Sequence, residues 1–331
     1  MKMNRNRRLH ALSAAAVIVL AIALGGCGGG SEETTTTAAP KAAAFPAVKG
    51  RTLEEVGGTI TQSNLVASPA GQAFEAGENR YAFGVFTKGQ KAINDAEVAV
   101  YFAKGKKGTA IGPFPATPES LATPSAYSSV STSHDPSSAS VVYVIPSVPF
   151  TAAGEWRAVA VFRTPEGLQG TLMPSAVVGR FPEIPKRGEQ APRIQTRTGE
   201  DVGGDLSKID TRVPPDQMHK DDFADVIGQK PTVLLFATPS FCESRVCGPV
   251  VDIAEQVREE TAQAGEDVAF IHQEVFNEND PSKGVRRELR AFHLETEPWV
   301  FVFDREGKVS TRIEGAFSAE ELRQAVDRAA S

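Results

Sequence analysis

The sequence predicts a chain with two folded parts: a β-sandwich over residues 59–182 and a three-layer α/β domain over 206–331. Three observations predict it. Between 59 and 182, apolar residues recur at every second position in short runs broken by turn residues, with no stretch of helical period between them. That is the pattern of strands half-buried on a two-sheet core. After 206, short apolar runs alternate with segments of helical period, as in strands covered by helices. Between the two, residues 183–205 mix Pro, Gly and charge, as an interdomain linker does. With 331 residues, 41% of them hydrophobic, the chain can bury two cores.

Taken in order, Lys2, Arg5, Arg7 and Arg8 precede an apolar run from Ala11 to Leu24 that only Ser13 interrupts. This reads as a targeting segment, short for a spanning helix. The run ends in Leu24-Gly25-Gly26-Cys27, which resembles the lipobox of bacterial lipoproteins. The resemblance implies a signal peptide over 1–26, lipid on Cys27 at the new N-terminus, and an extracytoplasmic protein anchored to a bacterial membrane. An ordinary cleaved signal peptide or an uncleaved anchor is the alternative. Residues 27–58, which include GGGSEETTTTAAP, bury too little apolar surface to offset their conformational entropy and are expected to be a flexible tether.

In the sandwich, Arg80–Thr87 places Tyr81, Phe83, Val85 and Thr87 on one face. Glu97–Ala103, Val141–Ile145 and Glu155–Arg163 follow the same rule, with turns at 88–90 and 150–154. The segments Asn79–Phe83 and Ala153–Trp156 resemble those of bacterial immunoglobulin-like domains. Residues 113–140, crowded with Pro, Ser, Thr and Ala, are expected to be a long surface loop. Trp156 has the position of a core aromatic, and His134 has no second ligand near it. This part of the chain holds no catalytic constellation, which leaves it the role of spacer or partner-docking surface. The net charge of −6, with no basic stripe after the first ten residues, argues against nucleic acid as a partner.

The chemistry concentrates in Lys230–Val257. Val233, Leu234, Leu235 and Phe236 form a buried strand, and Val250, Val251, Ile253, Ala254 and Val257 recur at helical spacing after it. Between them lie Cys242 and Cys247, two of the three cysteines in the chain. Pro249 suits a first helical turn, where its missing N–H costs nothing. The unpaired N–H groups and the dipole at a helix start stabilise an anion, and a thiolate is one. Comparable positions lower a cysteine pKa from about 8.5 by roughly one to five units. Arg245 assists this and Glu243 opposes it.

Elements at 232–237, 249–263, 268–276, 283–292, 299–303, 308–313 and 318–330 give the order βαβαββα. This order resembles the thioredoxin fold, and two motifs support the resemblance. Cys247-Gly248-Pro249 is similar to the Cys-Gly-Pro of the thioredoxin redox loop, and Glu297-Pro298 falls where that family keeps a cis-proline against the disulfide. The chain departs from the family in spacing its cysteines by four residues instead of two, and in lacking the family's buried Asp among Val233–Phe236. Either cysteine can be aligned with the family's nucleophile. A disulfide suits so short a loop in an oxidising compartment. The resemblance implies thiol–disulfide exchange with protein thiols or disulfides of the cell envelope, through Cys242, Cys247 and Pro298, with Ser244, Arg245, Gly248 and Pro249 in support.

Other readings compete with exchange. The pair can be a structural disulfide in a binding or scaffold lipoprotein. Pro239, Ser244 and Cys247 come within one residue of the peroxiredoxin signature, which implies peroxide reduction. The Sco-type copper proteins pair two cysteines with a distant histidine, a place open here to His272 or His293. Asn277–Asp280 lacks the spacing of a calcium site and reads as a capped turn. No cofactor and no metal ligand set is expected.

Overall fold

In the first part of the chain, strands form where apolar and polar residues alternate. The computed structural model describes residues 38–58, 60–134, 139–242 and 244–331. The expected signal peptide over 1–26, the expected lipid site at Cys27, and Glu243 lie outside these residues. A short helix α1 (Leu53–Gly57) precedes strands β1 (Thr61–Gln62), β2 (Leu65–Pro69), β3 (Gly77–Thr87), β4 (Glu97–Lys104), β5 (Ile111–Pro115) and β6 (Thr117–Ser120). Helix α2 (Val130–His134) follows, then β7 (Val141–Phe150), β8 (Gly154–Thr164) and β9 (Gly167–Val178). The strands form two sheets, ordered β1-β9-β8-β4-β5 and β2-β3-β7-β6. One apolar core lies between them, where Tyr81, Phe83 and Val85 meet Phe102, Tyr143, Trp156 and Phe162. Because side chains alternate, Ala82 of β3 points away from that core and joins the next one.

The four expected strands are present and extend further than their alternation suggested, whereas β1, β2, β5, β6 and β9 were not anticipated. In β9, Gly170 and Pro174 interrupt the pattern. The expected tether also needs correction, since its described part, 38–58, buries Phe45, Leu53 and Val56. Strand β4 is buried on both faces, so its outer face needs a cover. Phe45, Leu53 and Val56 supply it, against Tyr101, Ala103, Val159 and Val161. A reciprocal cap holds α1, with Thr52 accepting from the Glu55 N–H and Glu55 accepting from the Thr52 N–H.

The second part follows a short helix α3 (Phe223–Val226). Its elements are β10 (Thr232–Phe236), α4 (Cys247–Gln263), β11 (Ala269–Gln273), α5 (Arg287–Ala291), β12 (Trp299–Phe303), β13 (Val309–Glu314) and α6 (Ala319–Ala330). The sheet runs β11-β10-β12-β13, with β10 parallel to β11 and antiparallel to β12, and β13 antiparallel to β12. The elements come in the expected order βαβαββα. Val233 and Leu235 face α4 and α6, while Leu234 and Phe236 face Phe223 of α3 and Phe292 just after α5.

Two further expectations are corrected. Residues 183–205 are not a free linker: Ile184 and Ile194 sit in the core on the α3 side, and Arg312 donates to the Ile184 and Pro185 carbonyls. Nor is the first part a detached spacer. Ala82, Leu121, Val142 and Val144 share one core with Val250, Val251 and Val326 of the helical layer. Around it, Arg80 pairs with Glu321 and donates to the Ala316 carbonyl at 2.7 Å. Arg312 pairs with Glu75, and Glu314 accepts from the Gln72 and Ala73 N–H groups. Among the described residues, no helix is long and apolar enough to cross a membrane.

Candidate active site

Strand β10 is buried along its whole length, and the chain leaves the sheet after Phe236 into the loop that leads to α4. Cys242 and Cys247 form a disulfide across that loop, with Cα atoms 5.9 Å apart. Helix α4 begins two residues earlier than expected, at Cys247 itself, so this sulfur sits in the first turn. The two cysteines differ in access. Cys247 is fully buried, whereas Cys242 is partly exposed.

The supporting residues surround this asymmetry. Ser244 is exposed, and its Oγ lies 3.2 Å from Cys242 Sγ. Arg245, also exposed, has a left-handed backbone (φ 59°) and donates its N–H to the Cys242 carbonyl. Gly248 permits a close approach, since a Cβ there would lie 2.8 Å from Thr132 Oγ1. Pro249 occupies the first turn of α4, where no N–H is needed. The Glu297–Pro298 bond is cis, as the resemblance implies, and the next residue, Trp299, pairs with Phe236. That register brings Glu297 to the loop, where a carboxylate oxygen and the two sulfurs all lie within 4.8 Å of one another.

This geometry disfavours two of the competing readings. The peroxiredoxin pattern needs a hydroxyl beside an accessible Cys247, but Ser244 contacts Cys242 and Cys247 is buried. The copper pattern needs a histidine with the sulfurs. His293 is exposed just after α5, and His272 groups with Asp210, Asp216 and His219, whereas the two sulfurs group with Glu297.

Of residues 113–140, expected as a surface loop, 113–115 and 117–120 are in strands, and Ser129, Thr132 and Ala139 lie against the start of α4. Ser129 donates its N–H and its hydroxyl to Asp252, and Ala139 donates to the Arg245 carbonyl. Arg212 joins this contact from below, pairing with Asp252 at 2.8 Å and donating to the Tyr127 and Pro214 carbonyls.

The sequence reading missed the stretch 210–219 that carries Arg212. Its Thr211 ties it to the loop by accepting from the Ser240 N–H, while the Thr211 carbonyl accepts from the Ser240 hydroxyl. Thr211 also donates twice to the buried Glu274, whose carboxyl is pushed up by burial against the pull of His272 and Thr211. Beside it, Asp210, Asp216, His219 and His272 form a fully buried cluster. Burial alone would lower His272, but Asp216, with Asp210 and Glu274, outweighs it and pushes the ring up to about 10. Burial alone would raise Asp216, yet His272 and His219 hold it down at about 2. The only sequence signal was four ionisable residues around two prolines in DTRVPPDQMH. Nothing in that segment connects it to a histidine on β11, more than fifty residues later.

No family model matches the chain, and no curated protein matches it. Solved structures do. The chain is similar to a thiol:disulfide interchange protein of the thioredoxin family from Chlorobium tepidum TLS, at 20% identity and a TM-score of 0.30 over 44% of this chain and 99% of that one. It is also similar to a thio-disulfide isomerase from Thermus thermophilus, at 20% identity and a TM-score of 0.26 over 44% of this chain and 98% of that one.

Proposed function

We propose that this chain is an extracytoplasmic thiol–disulfide exchange protein, held at a membrane by lipid on Cys27. In this reading residues 59–182 form an immunoglobulin-like domain fused to the exchange domain. One observation carries the reading: a cysteine pair straddles a helix start, with one sulfur within a partner's reach and the other buried behind it.

In the reduced protein the Cys242 thiolate attacks one sulfur of a partner's disulfide. That bond breaks, and the partner's other sulfur leaves as a thiolate. The Cys247 thiolate then attacks Cys242 Sγ, which breaks the mixed disulfide, re-forms Cys242–Cys247 and frees the partner's second thiolate. Two electrons pass from the pair to the partner. A second protein dithiol restores the pair by the same steps in reverse. Cys247 must lose a proton before it attacks, and with no Asp on β10 the Glu297 carboxylate is the group that takes it. Ser244 steadies Cys242 as its charge develops, and Pro298 shapes the groove for the partner segment.

The test is the reduction potential of the pair in the full-length chain, equilibrated against glutathione and read by mass spectrometry. Exchange requires a potential above roughly −270 mV. A pair that stays oxidised below about −300 mV is structural, and the chain is then a binding or scaffold lipoprotein.

A further inference from the structure

We infer that Asp210, Asp216, His219 and His272 form a closed site for one divalent metal ion, of the class to which zinc belongs. The four residues come from two stretches of chain far apart in sequence, 210–219 and β11, and all are buried. One donor atom from each can be chosen so that all four lie within 4.8 Å of one another.

The donors stand close enough to converge on one ion. Ligands about 2.0–2.1 Å from zinc stand roughly 3.3 Å apart. Each imidazole faces both carboxylates, through opposite oxygens: His219 Nε2 lies 3.3 Å from Asp210 Oδ2 and 3.4 Å from Asp216 Oδ1, and His272 Nδ1 lies 3.8 Å from Asp210 Oδ1. The fourth pair, His272 Nδ1 and Asp216 Oδ2, is closer at 2.7 Å, where the two atoms share a proton. A bound ion takes the place of that proton.

A second, independent observation points to a ligand. His219 Nε2 is fully buried and makes no hydrogen bond, although it sits between two carboxylates. A buried polar atom left this way costs about 1–3 kcal/mol. Coordination would satisfy it.

The surroundings resemble the supporting shell of a metal site. His272 places Nε2 on the Ala237 carbonyl, an arrangement that leaves Nδ1 for the ion. Asp210 accepts from the Arg212 and Asp216 N–H groups, and Asp216 accepts from the Met218 N–H, so both carboxylates are fixed by backbone. Two imidazoles and two carboxylates balance a divalent ion and suit zinc better than calcium or magnesium, which prefer all-oxygen shells. Four protein ligands leave no open position, so the ion is structural. It would lock 210–219 beneath the loop that carries Cys242.

The experiment uses the full-length chain, oxidised so that Cys242 and Cys247 cannot ligate, stripped with a chelator and titrated separately with Zn2+ and Co2+. One equivalent per chain is expected, with the visible bands of tetrahedral Co2+ and an X-ray absorption spectrum showing nitrogen and oxygen but no sulfur scatterers. His219→Ala and Asp216→Asn should each weaken uptake by at least about a hundredfold, since loss of even a supporting residue costs 10–100-fold. The Cys242→Ser/Cys247→Ser double variant should bind as the parent does. The inference is overturned if the parent shows no saturable uptake, if sulfur appears in the shell, or if folded His219→Ala binds unchanged. Should His219→Ala fail to fold, the parent's stoichiometry and spectra decide alone.

Discussion

At the scale of the residue, exposure assigns different work to two chemically identical side chains. Cys242 is partly exposed and Cys247 is buried, so in the proposed exchange it is Cys242 that meets the partner. Cys247→Ser should therefore accumulate a mixed disulfide with envelope proteins, while Cys242→Ser should accumulate none; non-reducing gels with mass spectrometry read both. The reverse pattern would make Cys247 the attacking residue and require the loop to open. Glu297 gives a second prediction. If its carboxylate removes the proton from Cys247, Glu297→Gln should slow resolution of a preformed mixed disulfide by roughly 10²–10⁴-fold while leaving the first attack by Cys242 nearly unchanged. Stopped-flow measurement of the two steps separates them, and equal slowing of both would assign Glu297 a merely structural part. The paired cysteines and the proline were legible in the sequence because each is a local motif. Glu297 in the acid's place was not, because its proximity to the sulfurs depends on the register of β12 against β10.

Among the elements, α4 and α6 are held at their starts by contacts that local patterning did not disclose. The apolar spacing of α4 announced a helix, but not the buried Arg212–Asp252 pair that fastens it to the segments on either side. Every polar atom of that pair named here has a partner, so removing one member strands a buried charge. Asp252→Ala should lower unfolding free energy by about 3–5 kcal/mol in urea denaturation; a loss under 1 kcal/mol would mean that Arg212 finds water instead. Helix α6 is capped by Ser318, which accepts from the Glu321 N–H and donates to Glu119 of β6 at 2.6 Å. Burial pushes the Glu119 carboxyl up, against the opposing pull of Ser318. An acid whose folded pKa exceeds its unfolded value binds its proton more tightly in the native state. Its ionised form thus costs stability above the folded pKa, and the cost vanishes as pH falls below the unfolded value. Glu119→Gln should accordingly melt above the parent at pH 8 and converge with it near pH 4, as a Tm series would show. Helix propensity, capping residues and strand alternation can all be read along the chain. The partner across a helix start cannot, because it is set by tertiary packing.

For the whole molecule, the composition break at 183–205 suggested two independent domains, yet those residues donate Ile184 and Ile194 to a core. The sheet β2-β3-β7-β6 buries one face against the other sheet and the opposite face against α4 and α6. Each part of the chain would expose apolar surface if the other unfolded, so loss of one should drag the other with it. The two tryptophans make this measurable, because Trp156 lies in the first part's core and Trp299 on the sheet of the second. Trp156→Phe leaves a reporter of the α/β part, and Trp299→Phe leaves a reporter of the two-sheet part. With each corrected for its own shift in stability, both should report one urea transition with the same midpoint as circular dichroism. The border between the parts is polar as well as apolar: Arg80 holds Glu321 and the Ala316 carbonyl, and Glu314 receives two backbone N–H groups. Arg80→Ala should therefore lower the midpoint seen by both reporters together, for a loss of about 1–3 kcal/mol in unfolding free energy. Two midpoints already separated in the parent would show instead that the shared core is too weak to couple the parts, and that the first part can unfold while the disulfide site stays intact.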